Sequence, residues 1–438
     1  MPATSYLIEK LTATGLGFSR DSEGKATLID GVIPGETVTA GIITTAKKHN
    51  TARVKVIKTA SKDRTTPPCP HYKQCGGCNM QHMTYQRQLK EKSAILNDIF
   101  SQSRNRVLQE STEKLLHPVL PSPQDKHYRQ RIRLQVDSRQ VLGFHKRRSH
   151  DCVAIDSCLL AHPAINSCLR KILAQHAFKK LLDHTESLDL LLDPESLLIS
   201  ILLHFRRKPR PTDEKHGHAL VAAITELKSV FFTGTGFAVT GRDTLCYSLT
   251  PETTNSTQPL KLSFETGGFC QVNVSQNNIL VKTVLDFCNV SANETVLDLF
   301  CGMGNFSIPL AEQAQSLLGV EGQGSAIRSA RKNSANAGLK NTEFRKQPIH
   351  AACSELAENR RHFDCLVIDP PRQGVPGLAK QLANLCEKKL VYVSCDPATL
   401  CRDLGDLLHH GFHLQKLQPI DMFPQTSHIE SVVLLTSA

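Results

Sequence analysis

Hydrophobic and polar positions change rhythm along the chain. Over residues 5–60 short apolar runs alternate with glycine breaks. Residues 6–11, 25–29, 37–43 and 53–57 read as strands, with turns at Gly15-Leu16-Gly17, Gly31 and Pro34-Gly35. Several short strands separated by glycine turns predict a small β-barrel. The linker TTPPCPHYKQCGGC follows, then a helical pattern over residues 86–100. Residues 125–262 mix strand and helix. Residues 132–136 alternate in polarity, and residues 188–205 are strongly apolar. The stretch RRKPRPTDEKHGH is expected to be an exposed loop.

From residue 263 strands and helices alternate. ETVLDLF, LLGVEG, FDCLVIDPP, KKLVYVSC and SVVLLT are strand-like, GMGN is a turn, and residues 308–314 and 326–337 are helical. That alternation predicts an α/β fold, a parallel sheet flanked by helices. Its ligands should sit at the carboxyl ends of the strands.

Charge narrows the partner. Lys and Arg number 52 against 41 acids, a net charge of +11 over 438 residues, which favours a polyanion. Lys47, Lys48, His49, Arg53, Lys55 and Lys58 concentrate on the later part of the expected barrel, a face suited to an RNA backbone or to a merely solvated edge. Arg129, Arg131 and Arg133 should share one face of a strand, toward the substrate or toward solvent. Aromatics are only 5% of residues and Trp is absent, so bases have few stacking platforms. No signal-peptide pattern and no membrane-length apolar run stand out, so a soluble cytoplasmic protein is expected. The 15 cysteines are then thiols, metal ligands or nucleophiles rather than structural disulfides.

Candidate chemistry clusters at the ends of the later strands. Asp298 precedes the turn Cys301-Gly302-Met303-Gly304-Asn305, and Glu321 ends the next strand, placed to accept from ribose hydroxyls. The pattern D-x-F-x-G-x-G lacks the third glycine of the dinucleotide fingerprint and is similar to the first motif of class I methyltransferases. In Asp369-Pro370-Pro371-Arg372 two prolines hold a carboxylate at a strand tip. Methyltransferases acting on exocyclic amines carry an aromatic where Arg372 stands, which argues against amine methylation. Cys395, in Ser394-Cys395-Asp396-Pro397, lies just before a helix, whose dipole favours a thiolate. Methylation of an amine or an oxygen needs no thiolate. Methylation of pyrimidine carbon 5 does, because attack on carbon 6 makes carbon 5 nucleophilic. A base must then remove the carbon 5 proton; Glu430 is the first candidate and His428 the second. Earlier in the chain, Cys69, Cys75 and Cys78 form a dense thiol triplet with Gly76 and Gly77 between them. Cys158 is the preferred fourth ligand and Cys152 the alternative, for zinc or an iron–sulfur cluster.

CPHYKQCGGC, Phe269-Cys270-Gln271-Val272-Asn273, LDLFCGMGNFS, DPPR, SCDPATLCRD and PQTSHIE together resemble the RNA 5-methyluridine methyltransferase family, of the RumA/RlmD type, over essentially the whole chain. The resemblance implies a TRAM-type OB-like barrel (1–62), an α+β central domain with the cluster (63–262) and a class I, Rossmann-like methyltransferase domain (263–438). It implies S-adenosylmethionine as methyl donor, bound by Gln271, Phe300, Asn305, Glu321 and Asp369, with Asp298 and Gly302 in the same turn region. It implies a [4Fe-4S] cluster on Cys69, Cys75, Cys78 and Cys158, Cys395 as nucleophile and Glu430 as base. Asp369 and Gln271 would also meet the target uracil. A barrel favours the RlmD type of target, a uridine in 23S ribosomal RNA, met before full ribosome assembly and without an obligate protein partner. Two positions depart from the family. Asp396 replaces an Asn, and a second carboxylate beside Cys395 disfavours the thiolate unless it is paired. Gln347-Pro348 stands where the family has an Asn near the adenine. Rival readings are a 5-methylcytosine methyltransferase, an RNA chaperone with a vestigial domain, and a cluster-based redox sensor that binds RNA.

Overall fold

A bend at Ile8-Glu9 breaks the expected first strand. Ile8 gives its N–H to Glu36 and Glu9 to Phe18, so β1 (Thr4–Leu7) and β2 (Lys10–Leu11) lie at opposite edges of one sheet. The computed structural model describes residues 4–254 and 257–437. β3 (Gly17–Arg20), β4 (Ala26–Asp30), β5 (Thr37–Thr45) and β6 (His49–Thr59) complete the order β1-β5-β6-β4-β3-β2. The two edges are consecutive in the chain, so the sheet curls around Tyr6, Ile8, Ile29, Val32 and Val38, all at most 1% exposed. β3 escapes the sequence pattern because its first inward residue is Gly17. A Cβ there would lie 2.2 Å from Val32 Cγ2.

The second sheet contains β7 (Arg131–Val136), β8 (Leu142–His145), β9 (Cys152–Ala154), β10 (Thr185–Leu192), β11 (Ile199–Phe205) and β12 (Leu227–Gly234), in the order β12-β11-β10-β7-β8-β9. The apolar run 188–205 thus divides into two paired strands, buried with the helices Pro163–Leu173 and His176–Leu182. The expected loop RRKPRPTDEKHGH is half helix: Pro211–Ala223 is helical. Pro211 needs no N–H at the helix start, and the Asp213 carboxylate accepts the Arg210 N–H at 2.7 Å. The polar composition hid that helix.

β13 (Thr244–Leu249) and β14 (Leu260–Glu265) form a hairpin. The last sheet has β15 (Thr295–Leu299), β16 (Ser316–Glu321), β17 (Thr342–Lys346), β18 (Phe363–Ile368), β19 (Cys386–Ser394), β20 (Phe412–Ile420) and β21 (Glu430–Ser437), in the order β17-β16-β15-β18-β19-β21-β20. Five strands are parallel as expected. β21 is antiparallel to both neighbours, which corrects the all-parallel expectation. The link over residues 421–429 is too short for a crossover, which takes about a dozen residues, so β20 and β21 pair antiparallel.

Packing also cuts across the expected boundary at residues 262 and 263, which falls inside β14. Leu245, Tyr247, Leu262 and Phe264 of the hairpin bury against Leu280, Val284 and Val391 of the C-terminal core. Likewise Ile95, Leu96 and Phe100 of the helix Tyr85–Ser101 pack with Leu400, Leu404 and Tyr392. A helix's apolar stripe does not disclose which sheet will cover it. No helix among the described residues is long and apolar enough to cross a membrane.

Candidate active site and thiol cavity

Strands β15 and β18 are neighbours, yet the chain leaves them toward opposite halves of the sheet. A crevice opens at such a point beyond the strand ends. After Leu299 the backbone turns left-handed at Phe300 (φ 62°), Gly302 (φ 55°) and Gly304 (φ 92°). A Cβ on Gly304 would lie 2.9 Å from Ile308 Cγ1, so glycine lets the turn pack on the helix Ser307–Ala311. Glu321, at the tip of β16, accepts the Gly302 N–H at 3.3 Å and the Gln323 N–H at 2.8 Å. Asp298 lies fully buried beneath the turn, bonded to Ser307 Oγ. Burial pushes it up to about 7 against that bond, with help from Asp369 and Glu321.

Asn305 has committed partners. Tyr247 Oη donates to its Oδ1 at 2.6 Å, and its amide exchanges hydrogen bonds with that of Asn277 at 2.9 and 3.0 Å. Tyr247 and Asn277 are not legible in the sequence as partners of Asn305, because they lie 58 and 28 residues from it and belong to other elements. Gln271 is half-buried beside the capped helix Val274–Cys288, where Asn273 accepts the Gln276 N–H at 3.1 Å. Two residues earlier Phe269 stands 67% exposed, an aromatic face open beside the site. Gln347 gives its N–H to Glu321 O at 3.1 Å, and its side chain is held by Glu355.

Ser394 of β19 pairs with Ser431 of β21, so Cys395 and Glu430 leave the same end of two adjacent strands. Asp369 follows β18, the other neighbour of β19. Burial, then Glu430 and Asp369, push the Cys395 thiol up to about 11, with Arg372 opposing. Burial and then Asp369 raise Glu430, and burial raises Asp369 to about 7. The expected lowering of the thiol by its helix is therefore not found in the free protein. The Asp396 carboxylate caps the helix Pro397–His409 by accepting the Thr399 N–H at 2.8 Å. It is thereby paired, and it absorbs the helix's positive end. His428 is exposed, its ring edge-on to Phe423.

A second cavity is lined by Cys69, Cys75, Cys78 and Cys158, with Gln81, Arg129, Phe144 and Ile155 around them. Cys152 is absent from it and lies buried with its Sγ toward Gln135 O. Hence Cys158, not Cys152, joins the triplet. Gly76 lets the loop close on β8: its N–H reaches His145 O at 2.9 Å, where a Cβ would stand 3.1 Å away. Burial raises Cys69, Cys75 and Cys78, and nearby Cys158 adds to all three. Among the described residues no three His, Cys, Asp or Glu side chains stand close enough to hold one metal ion. Two donors in this cavity, Gln81 Nε2 and Arg129 Nε, are shut off from solvent without a partner.

Arg129, expected on a face with Arg131 and Arg133, precedes β7 and lines this cavity. Arg131 and Arg133 instead converge on Asp189 of β10, at 3.0 and 2.7 Å, with His204 Nε2 at 2.9 Å. Burial would raise Asp189, but those three bonds outweigh it and hold it below the carboxylate range. Lys47 and Lys48 lie exposed between β5 and β6.

The sequence model of the family described as tRNA (uracil-5-)-methyltransferase matches residues 84–438. A 23S rRNA (uracil(1939)-C(5))-methyltransferase RlmD of Shewanella sediminis is 36% identical over 98% of this chain and 94% of its own length. The RlmD of Aeromonas hydrophila is 32% identical over 98% and 95%. The crystal structure of the Pyrococcus abyssi tRNA (uracil-54, C5)-methyltransferase in complex with S-adenosyl-L-homocysteine superposes with a TM-score of 0.70, at 22% identity, over 98% of this chain and 99% of that one. At that identity the likeness speaks for the fold.

Proposed function

Because the chain belongs to the RNA uracil-5-methyltransferase family, matched from residue 84 to its last residue, we propose that it methylates carbon 5 of a uridine in 23S ribosomal RNA, the counterpart of uracil 1939 named for its relatives. The observation that carries the reading is the convergence of Cys395, Glu430 and Asp369 at one end of three adjacent strands. S-adenosylmethionine supplies the methyl group, and we read Gln271, Phe300, Asn305, Glu321 and Asp369 as the residues that hold it. Asp298 and Gly302 shape the turn beneath.

The target base must leave its stack to reach Cys395, since carbon 5 is otherwise inaccessible. Phe269 offers the exposed ring on which a splayed base would rest. Cys395 Sγ bonds to carbon 6, and the displaced electron pair makes carbon 5 nucleophilic. Once carbon 5 carries the methyl group, Glu430 takes its proton. The electron pair re-forms the 5,6 double bond and expels the thiolate. In the free protein the thiol and two carboxylates suppress one another's charge, so Cys395 ionises only as the base and cofactor fill the site. Asp369, near 7, can hold a proton there at neutral pH.

We read the thiol cavity, lined by four cysteines, as the seat of a [4Fe-4S] cluster, which takes one Cys on each iron. Cys69, Cys75, Cys78 and Cys158 would hold it, away from the reacting base. Its part is architectural, since the neighbouring strap ties both catalytic loops: Tyr128 Oη bonds Pro424 O and the Gln130 N–H bonds Val272 O. The curled N-terminal sheet, read as a TRAM-type barrel, presents Lys47 and Lys48 to RNA phosphates. Arg131 and Arg133 are proposed to do so from the central sheet. A cytoplasmic location accords with this substrate and with fifteen unpaired thiols.

The test is methyl transfer from labelled S-adenosylmethionine to unmodified 23S ribosomal RNA and to tRNA, with the product nucleoside identified by mass. The expected outcome is 5-methyluridine at one position of 23S RNA, lost in Cys395→Ala without loss of cofactor binding. A 5-methylcytosine product, methylation of tRNA alone, or robust turnover by Cys395→Ala would overturn the reading.

A further inference from the structure

The thiol cavity holds two polar groups with no full hydrogen bond from the chain. Gln81 is 2% exposed; its Oε1 accepts the Cys69 N–H at 3.2 Å, and its side chain leans on the Cys78 sulfur without a complete bond at Nε2. Arg129 Nε is likewise sealed from water without a partner, its guanidinium 5.9 Å from the Tyr128 ring centre. A buried donor left unpaired costs free energy, more so on a cation, so such groups persist where an acceptor fills the gap. Both donors and all four thiols line one cavity, and no carboxylate is among its lining residues. An anionic group held by the four thiols would supply the acceptor to both donors.

Resting on the cluster reading above, we propose that Arg129 Nε–H and Gln81 Nε2–H are hydrogen-bond donors to the sulfur atoms of the iron–sulfur cluster, setting its reduction potential and its resistance to oxidative loss. Hydrogen bonds to cluster sulfurs stabilise the more negative, reduced state and raise the potential. They also brace the ligands, as outer-shell donors do in other metal sites. Gln81 serves two ends at once. Its oxygen pins the Cys69 backbone while its nitrogen faces the sulfurs, so an isosteric carboxylate would keep the first bond and replace the second with repulsion. Arg129 joins the cluster to the catalytic side, since its own backbone bridges to Asn273 and Ala161.

The experiment assembles the cluster anaerobically in the full-length protein, Gln81→Glu, Arg129→Lys and Arg129→Met. It measures iron and sulfide content, the potential by reductive titration followed by electron paramagnetic resonance, and the rate of bleaching in air. S-adenosylhomocysteine affinity verifies that each variant is folded. The expected result is a lower potential in Gln81→Glu and Arg129→Met, with bleaching roughly tenfold faster for loss of a bond to a charged acceptor. Arg129→Lys, which keeps the charge but not the Nε donor, falls between. Variants that bind four irons with unchanged potential and bleaching rate would overturn the assignment and leave the cluster reading standing. A wild-type protein that takes up no iron and sulfide would remove both. Should Arg129→Met fail to fold, the isosteric Gln81→Glu decides the matter.

Discussion

The Asp396 carboxylate accepts the backbone N–H of Thr399 at 2.8 Å, which makes the residue after Cys395 a helix cap rather than a free charge beside that thiol. The resemblance set out above implies an Asn at this position. Asn and Asp cap about equally well, and either exchanges one side-chain oxygen for one orphan N–H.

Asp396→Asn should therefore leave the melting temperature and turnover close to those of the parent. Asp396→Ala should lose about 1 kcal/mol of stability. Thermal denaturation of the two variants side by side measures this. Equal losses in both would mean that the charge, not the cap, is what matters.

Glu430→Gln removes the group proposed to take the carbon 5 proton while keeping the side chain's shape. Methyl transfer should then proceed once and stall, with the base still bonded to Cys395. Turnover should fall by on the order of 10²–10⁴. A denaturing gel with labelled RNA should reveal a covalent protein–RNA band, absent when Cys395 is also replaced. No band at any time would assign the base to another residue.

Asp369 carries a pH dependence whose sign can be worked out. Its pKa is about 7 in the folded chain, against about 3.9 when unfolded. An acid with a raised folded pKa favours folding below the unfolded value, and that favour is lost as pH climbs to the folded value. Stability due to Asp369 should thus decline from about pH 4 to about pH 7 and level off above. Asp369→Asn cannot ionise, so its advantage over the parent should grow across that window, toward about 4 kcal/mol at most. Urea midpoints at pH 5 and pH 8 measure the gap. An equal gap at both would show that Asp369 does not titrate in this range. The variant should be inactive.

Tyr247→Phe deletes one hydrogen bond to Asn305 and preserves the ring packed against Phe264. Cofactor affinity should drop about fivefold, equivalent to about 1 kcal/mol. RNA affinity should not change. Calorimetry with S-adenosylhomocysteine reads the first and filter binding the second. Unchanged cofactor affinity would deny Asn305 its binding role.

Lys47→Ala with Lys48→Ala should weaken RNA binding and flatten its salt dependence. Two phosphate contacts on a single strand contribute about 1.4 to the slope of log K against log salt. A parallel slope would place the RNA elsewhere than this edge.

The chemistry of the site was legible in the sequence because each of its parts is local. A glycine turn, a Pro-Pro turn and a strand–helix junction each dictate their own backbone within five residues, and so announce a side chain at a strand tip. Asp298, Asp369, Cys395 and Glu430 could be singled out on that ground. So could the Cys69–Cys78 loop, with Cys158 preferred over Cys152 as its fourth thiol; Cys158 lines the same cavity as the three. What surrounds these groups was not legible. Tyr247 and Asn277 meet Asn305 from 58 and 28 residues away. Asp189 draws in Arg131 and Arg133 across a strand pair, and the hairpin β13–β14 chooses one core over another. Those outcomes depend on burial and on which distant surfaces meet, and they govern protonation. The sequence by itself determined which groups could react. The tertiary structure decided that Cys395 rests as a thiol among two carboxylates, because only folding removes the water that would have kept their charges apart.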